Sequence, residues 1–204
     1  MNKNYKPSIK FYPQERNTTK MNLPNKLTLF RIILVPIMVI VSFFDIPGSF
    51  LGISTTMWIM ELIFIIASIT DFLDGYLSRK NNQVTDFGKF LDAIADKILV
   101  KSVLIIFAAQ GHITTIIPVV IIVRDIIVDA IRMTAAKKGN VQAAKLSGKL
   151  KTASLMIGMV LTFFYNLPFE LLGINLASAF LYFGMLMSLV SLYEYYKLNK
   201  KYIL

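Results

Sequence analysis

The chain has 204 residues, of which 55% are hydrophobic and 17% are charged, and its mean hydropathy is +0.60. Soluble domains carry about 25% charged residues, so this composition indicates an integral membrane protein. The chain lacks cysteine, which excludes disulfides and thiolate chemistry, and its single histidine, His112, excludes paired-histidine catalysis within one chain. A net charge of +10 would suit nucleic acid. However, the basic residues lie at the ends of apolar segments, so we expect membrane lipid and no nucleic acid as a partner.

Six apolar segments follow one another, each near the ~20 residues needed to cross the hydrocarbon of a bilayer. They predict an all-α, polytopic membrane protein with six transmembrane helices, at about residues 27–44, 56–79, 88–109, 113–136, 147–166 and 173–196. The connections near 45–55, 110–112 and 167–172 contain no Lys or Arg, whereas the opposite connections are basic. By the positive-inside rule we expect a multi-pass protein of a cell membrane, bacterial in type, with both termini cytoplasmic.

The first 20 residues differ from the rest in being polar and basic. They contain five Lys or Arg residues against one acidic residue, Glu15. We expect a flexible basic tail at 1–20, followed by a single six-helix domain at 21–204. An alternative is that the tail lies on anionic lipid.

Four aspartates form two helical pairs near the predicted cytoplasmic surface. Asp71 and Asp74 are three residues apart and Asp92 and Asp96 are four apart, so each pair shares one face of a helix. A carboxylate at the centre of a membrane helix costs at least ~2.5–3.5 kcal/mol, and four of them would repel one another unless cations held them. Oxygen-only donors suit hard divalent ions such as Mg²⁺ or Mn²⁺. The pattern therefore predicts a metal site that opens to the cytoplasm.

The segment that contains these aspartates resembles the signature of the CDP-alcohol phosphatidyltransferases, D-x2-D-G-x2-A-R-x8-G-x3-D-x3-D. Seven fixed residues match at every spacing over 26 positions, and the one departure is Ser78, where the pattern has Ala. The matching residues are Asp71, Asp74, Gly75, Arg79, Gly88, Asp92 and Asp96. A spaced match of this length is highly specific.

The resemblance implies a six-helix membrane enzyme, usually a homodimer, that transfers a phosphatidyl group from CDP-diacylglycerol to an alcohol and releases CMP. It assigns Asp71, Asp74 and Asp92 to two divalent cations that bridge the diphosphate. It assigns Asp96 the role of general base on the acceptor hydroxyl, with an additional contact to a metal. Two metals can neutralise the diphosphate and align the displacement, while a positioned carboxylate takes up the proton of the alcohol.

The same resemblance implies a nucleotide pocket beside the aspartates. It places Gly75, Arg79 and Gly88 in contact with the CDP group. Residues 24–31 also match the family's opening pattern P-N-x2-T-x2-R. That match places Asn25 and Thr28 near the nucleotide.

Three stretches resemble the phosphatidylglycerophosphate-synthase branch of the family more than other branches. The first is the opening pattern at 24–31. The second is Arg124-Asp125 with Arg132, like R-E-x6-R with Asp replacing Glu. The third is residues 148–152, like G-K-x-K-T. This branch implies sn-glycerol 3-phosphate as the acceptor, with phosphatidylglycerol, inositol phosphate or serine as alternatives.

A basic acceptor pocket is consistent with that branch. Arg124 lies deep in the fourth apolar segment, where a cation needs an anionic partner. Arg132 lies two turns closer to the cytoplasm, and Lys149 and Lys151 begin the fifth segment. We expect these four residues to bind the acceptor phosphate. Alternatively, Arg132 forms only an ion pair within its own helix.

A protein of a different class, a cation transporter, also places carboxylates inside the membrane. In this chain all four aspartates cluster near one face, with Gly75 and Arg79 between them, and the outer halves of the same segments carry no aspartate. This distribution favours the enzyme over the transporter.

Overall fold

The computed structural model describes residues 22–80, 86–140 and 145–203. The predicted tail at 1–20 and most of the predicted loop at 80–87 lie outside these ranges. Within them the protein is all-α apart from one short hairpin and a 3-10 turn at Phe169–Leu172. The elements are α1 (Leu23–Ser42), β1 (Ser49–Phe50), β2 (Ile53–Ser54), α2 (Thr55–Lys80), α3 (Asp86–Ala109), α4 (Ile116–Lys137), α5 (Leu146–Phe163) and α6 (Leu176–Ile203).

Three helices in the described ranges are long and apolar enough to cross a membrane, namely Leu23–Ser42, Thr55–Ser78 and Leu176–Lys201. Many large apolar side chains are exposed on the outside of the bundle, for example Phe43 and Phe72. Exposed apolar surface of this extent is typical of a protein that contacts lipid. The all-α membrane class is thus supported, whereas six spans remain a prediction.

Several helices begin or end a few residues away from the predicted positions. α1 begins at Leu23 because Pro24 sits in the first turn, where its missing N–H costs no hydrogen bond. α6 extends to Ile203, since the Lys- and Tyr-rich segment after 196 stays helical. α5 ends at Phe163, and Tyr165 and Asn166 then adopt positive φ values of 51° and 60°, which no helix continues.

The main hydrophobic core lies on one side of the aspartates and fills that end of the helix bundle. α1 packs against α2 and α3, α5 pairs with α6, and α4 packs against α6. Phe163 stands at the centre of the core, with its ring centroid 4.7 Å from that of Phe107 and 5.5 Å from that of Phe64. Burial of such aromatic groups fixes the relative positions of α2, α3 and α5.

Two glycines allow α5 and α6 to approach closely. A Cβ atom at Gly158 would lie 2.7 Å from Cγ of Leu181, and one at Gly184 would lie 2.9 Å from Cγ of Leu155. The Cβ at Gly184 would also lie 3.3 Å from the backbone carbonyl oxygen of Lys151. Small residues at such positions let membrane helices pack backbone against backbone.

Candidate metal centre and active site

Three of the four predicted carboxylates come together between α2 and α3. Asp71, Asp74 and Asp92 each offer an oxygen, and these three atoms lie within 4.8 Å of one another. Asp74 is buried, whereas Asp71 is half-buried and Asp92 is exposed, so the group has a closed side and an open side. An all-oxygen donor set of this kind suits a hard divalent cation. The cluster can therefore hold such an ion.

Arg31 on α1 lies beneath the three carboxylates and contacts all of them. Its side chain is 0% exposed. Nη2 donates to Oδ2 of Asp74 at 2.6 Å, Nη1 lies 3.3 Å from Oδ1 of Asp92, and Nη1 also forms an ion pair with Asp71. This buried cation offsets the repulsion between the carboxylates. Sequence reasoning missed its role, although an arginine inside an apolar run was a signal that it needs an anionic partner.

α1 presents a polar stripe to the aspartates. Thr28 lies one turn before Arg31, and its hydroxyl donates to Oδ2 of Asp74 at 2.9 Å. Asn25 is buried one further turn towards the start of the helix, on the same face. The structure thus brings Thr28, predicted to lie near the nucleotide, into contact with a predicted metal ligand.

The glycines of the signature flank the carboxylates. Gly75 follows Asp74 directly and is partly buried on α2. Gly88 is partly buried on α3, one turn before Asp92. Arg79 belongs to α2, but its side chain lies outside the described part of the structure. The predicted nucleotide contacts of these three residues therefore stay predictions.

Asp96 is not a member of the three-carboxylate group identified in the described residues. It lies one helical turn beyond Asp92 and lines a small cavity between α3, α4 and α5. Lys101, Asp125 and Lys151 line the same cavity. This position, beside the three-carboxylate group, would allow Asp96 to contact a second substrate. Direct coordination of a metal by Asp96 stays a prediction.

Arg124 is buried and directs its hydrogen bonds at α6 and at its own neighbour. Nε donates to the backbone oxygen of Ser188 at 3.0 Å and Nη2 donates to Oγ of Ser191 at 2.5 Å. Nη1 donates to Oδ1 of Asp125 at 2.8 Å. Arg124 thus has its anionic partner within the protein, and its predicted contact with an acceptor phosphate stays a prediction.

The other three predicted acceptor residues lie in different surroundings. Lys151 donates to Oδ1 of Asp125 at 2.7 Å inside the cavity that Asp96 lines. Lys149 is exposed at the start of α5. Arg132 is exposed and stacks on Tyr195, with its guanidinium carbon 6.0 Å from the ring centroid. Of the three, the structure brings only Lys151 to the cavity beside Asp96.

The single histidine lies far from the aspartates. His112 lies in the connection between α3 and α4, and α3 ends at Ala109, thirteen residues after Asp96. Thirteen helical residues correspond to about 20 Å along the axis of α3. Its ring packs edge-on against Phe107, and burial there lowers the pKa of His112. A carboxylate is therefore the available base at the site.

Comparison with known proteins shows extensive similarity to one enzyme family. The sequence model of the CDP-alcohol phosphatidyltransferase family matches residues 21–190. A relative from Bacillus subtilis is 41% identical over 183 residues, which cover 87% of this chain and 95% of the relative. One from Haemophilus influenzae is 37% identical over 186 residues, covering 89% of this chain and 95% of the relative. One from Wigglesworthia glossinidia brevipalpis is 35% identical over 181 residues, covering 87% and 94%.

All three relatives carry the name CDP-diacylglycerol–glycerol-3-phosphate 3-phosphatidyltransferase. The family match covers most of the chain, including the four aspartates, the α1 stripe and α5. The protein therefore belongs to the CDP-alcohol phosphatidyltransferase family.

Proposed function

We propose that this protein transfers the phosphatidyl group of CDP-diacylglycerol to sn-glycerol 3-phosphate, giving phosphatidylglycerophosphate and CMP. The observation that carries the proposal is the pairing of two adjacent sites. The three-carboxylate group of Asp71, Asp74 and Asp92 suits an anionic diphosphate bound through metal, and Asp96 lines a cation-containing cavity one turn away. The names of the relatives support glycerol 3-phosphate as the acceptor.

Asp71, Asp74 and Asp92 would hold the divalent ions, which we propose to be two Mg²⁺ or Mn²⁺ ions. When bound, such ions neutralise the charge of the diphosphate and of the departing CMP. Arg31 and Thr28 keep the carboxylates in place through their bonds to Asp74. We assign Asn25, Gly75, Arg79 and Gly88 to the nucleotide pocket that adjoins them.

Asp96 acts as the general base in the proposed reaction. The hydroxyl oxygen of the acceptor attacks the phosphatidyl phosphorus and its proton passes to Asp96. The bond from that phosphorus to the bridging oxygen breaks, and the electron pair leaves on CMP. Asp92 and Asp96 are four residues apart, about 6 Å along the axis of α3. Donor and acceptor can thus meet over a single helical turn.

The acceptor phosphate requires cations beside Asp96. Of the four predicted residues, Lys151 is the strongest candidate, because it lines the cavity beside Asp96. We retain Arg124, Arg132 and Lys149 as further candidates. Charge-assisted hydrogen bonds from Lys or Arg to phosphate are strong, whereas serine or inositol would not need them.

The decisive experiment measures CMP release by the purified protein with CDP-diacylglycerol and a panel of alcohols. We expect sn-glycerol 3-phosphate to be the best acceptor, ahead of glycerol, serine, inositol phosphate and phosphatidylglycerol. Chelation should abolish release and added Mg²⁺ or Mn²⁺ should restore it. Equal release with every alcohol, or release that survives chelation, would overturn the proposal.

The roles of the aspartates are separable by substitution. Asp71→Asn and Asp92→Asn should weaken Mn²⁺ binding and turnover together, because both lose a ligand. Asp96→Asn should keep most of the Mn²⁺ affinity while losing turnover by ~10²–10⁴-fold, the usual worth of a general base. Mn²⁺ binding is measured by titration of the purified variants. Wild-type turnover in any of the three at equal folded yield would contradict the assignment.

We also propose six membrane spans, cytoplasmic termini and a homodimer. The lysine- and arginine-free connections support this orientation. Single cysteines at Asn82 and Gly111 of the cysteine-free chain test it by labelling of intact cells. A cysteine at 111 should react from outside and one at 82 only after lysis. The opposite labelling pattern would contradict the orientation. The homodimer is tested separately, by crosslinking of the protein in membranes.

A further inference from the structure

Asp125 lies at the centre of three cations. Its Oδ1 accepts from Nη1 of Arg124 at 2.8 Å and from Nζ of Lys151 at 2.7 Å. Its Oδ2 lies 3.6 Å from Nζ of Lys101. Lys101, Asp125 and Lys151 all line the small cavity that Asp96 also lines, so α3, α4 and α5 each contribute a charge to it.

The charges in this cluster do not balance. Asp125 is surrounded by three cations, Arg124, Lys101 and Lys151, and Asp96 adds a second carboxylate in the same cavity, which leaves a surplus of one positive charge. Positive charge at membrane depth is costly unless an anion accompanies it. By contrast Lys97, one turn before Lys101, pairs one-to-one with Asp129 at 2.5 Å. The cluster around Asp125 therefore favours an additional anion, and the cavity gives that anion a place.

We propose that Lys101 binds the phosphate of the acceptor together with Lys151, and that Asp125 is a positioning residue that holds both ammonium groups. This inference rests on the proposed function. Lys101 lies outside the family patterns that match this chain. It follows Asp96 by five residues, a rise of about 7.5 Å along α3. A three-carbon chain with a hydroxyl at one end and a phosphate at the other covers such a span.

Arg124 also orients Asp125 in this arrangement. Two of its bonds tie α4 to α6 through Ser188 and Ser191, and the third orients the carboxylate of Asp125. The guanidinium thus fixes the carboxylate, and the carboxylate in turn fixes the two lysines. Each lysine remains partly accessible, with 20% of the Lys101 side chain and 12% of the Lys151 side chain exposed. Both can therefore meet a ligand that enters the cavity.

The test compares Lys101→Gln, Lys101→Arg and wild type in the CMP-release assay. Lys101→Gln should raise the KM for sn-glycerol 3-phosphate about tenfold, since it removes one charge-assisted hydrogen bond to phosphate. The KM for CDP-diacylglycerol should stay within about twofold, and Lys101→Arg should restore most of the loss. Lys137→Gln, at the exposed end of α4, is the matched control and should change neither KM.

A second measurement separates ligand binding from folding and from catalysis. Added sn-glycerol 3-phosphate or inorganic phosphate should raise the Tm of the wild-type protein without any donor, and Lys101→Gln should lose most of this protection. Asp125→Asn should weaken the protection as well, because both lysines lose their anchor. Protection by inorganic phosphate as well as by glycerol 3-phosphate would show that the phosphate group is recognised, as the proposal requires.

The inference is overturned if Lys101→Gln keeps the wild-type KM and the wild-type protection. A lowered Tm with an unchanged KM would show that Lys101 serves packing alone, which also overturns it. If the wild-type protein releases CMP only with an acceptor that lacks phosphate, the proposed function fails instead. In that case the loss or retention of phosphate protection in Lys101→Gln still decides whether this residue binds the anion.

Discussion

Arg31 is the residue whose replacement tests the site most directly. Arg31→Gln leaves Asp71, Asp74 and Asp92 facing one another within 4.8 Å, with their shared buried counter-cation removed. Removing one partner of a buried ion pair costs about 3–5 kcal/mol. For a domain of this size about 1 kcal/mol shifts Tm by about 2–4 °C. We therefore expect Arg31→Gln to unfold at least about 6 °C below the wild-type protein in chelator.

Divalent metal should reverse much of this loss. Ions held by the same three carboxylates would offset the repulsion that Arg31 offsets in the wild-type protein, so Mn²⁺ should raise the Tm of Arg31→Gln more than that of the wild type. Thermal unfolding of purified protein in chelator and in Mn²⁺ measures both differences. Arg31→Lys keeps the charge without the forked geometry and should fall between the two.

The matched control is Lys26→Gln, which removes an exposed cation from the same helix. It should shift Tm by less than about 2 °C, because exposed charges contribute little. A Tm of Arg31→Gln within the same margin in chelator would refute the reasoning. An equal metal response in Arg31→Gln and wild type would refute the view that the guanidinium and the metal act on the same carboxylates.

Two further substitutions test the packing. Glu61 is buried and neither of its carboxylate oxygens has a hydrogen-bond partner among the described residues, so Glu61→Met should raise Tm by several degrees with CMP release within about twofold. A lower Tm in that variant would reveal a partner that Glu61 needs. Gly158→Ala should lower Tm, at a cost of about 1–3 kcal/mol, because its Cβ would meet Leu181 at 2.7 Å. Gly148→Ala, whose nearest contact would be an ordinary 3.7 Å, should not lower Tm, and equal losses in both would contradict the close packing of α5 and α6.

Much of the helical architecture can be predicted from the amino-acid sequence, because a run of about 20 apolar residues is typical of a membrane-spanning helix. The grouping of Asp71 and Asp74 on one face also follows, since the helical repeat alone determines it. The approach of Asp92 to these two aspartates depends on the packing of α2 against α3 across their short connection. The family signature suggested that approach. Relations inside one helix, or between consecutive helices, were thus predictable.

Relations between distant segments were not predictable in the same way. Arg31 and Arg124 are both arginines within apolar runs, and each needs an anion for the same physical reason. The sequence pattern directed attention to Arg124, yet Arg31 is the one at the aspartates, 43 residues before Asp74. Arg124 meets α6, more than 60 residues later. Periodicity gives the face of a helix that a residue occupies, but it does not give the helix that packs against that face.

The glycine at position 184 links the last helix to the chemistry. α6 is apolar over most of its length, and a side chain at Gly184 would press on the backbone carbonyl of Lys151, one helix away. Lys151 is one of the cations that line the same cavity as Asp96. The absence of a side chain at Gly184 therefore lets α5 and α6 approach closely, and it influences where the ammonium group of Lys151 lies relative to Asp96. A methyl group added at position 184 would displace α5 and so change the distance between Lys151 and Asp96.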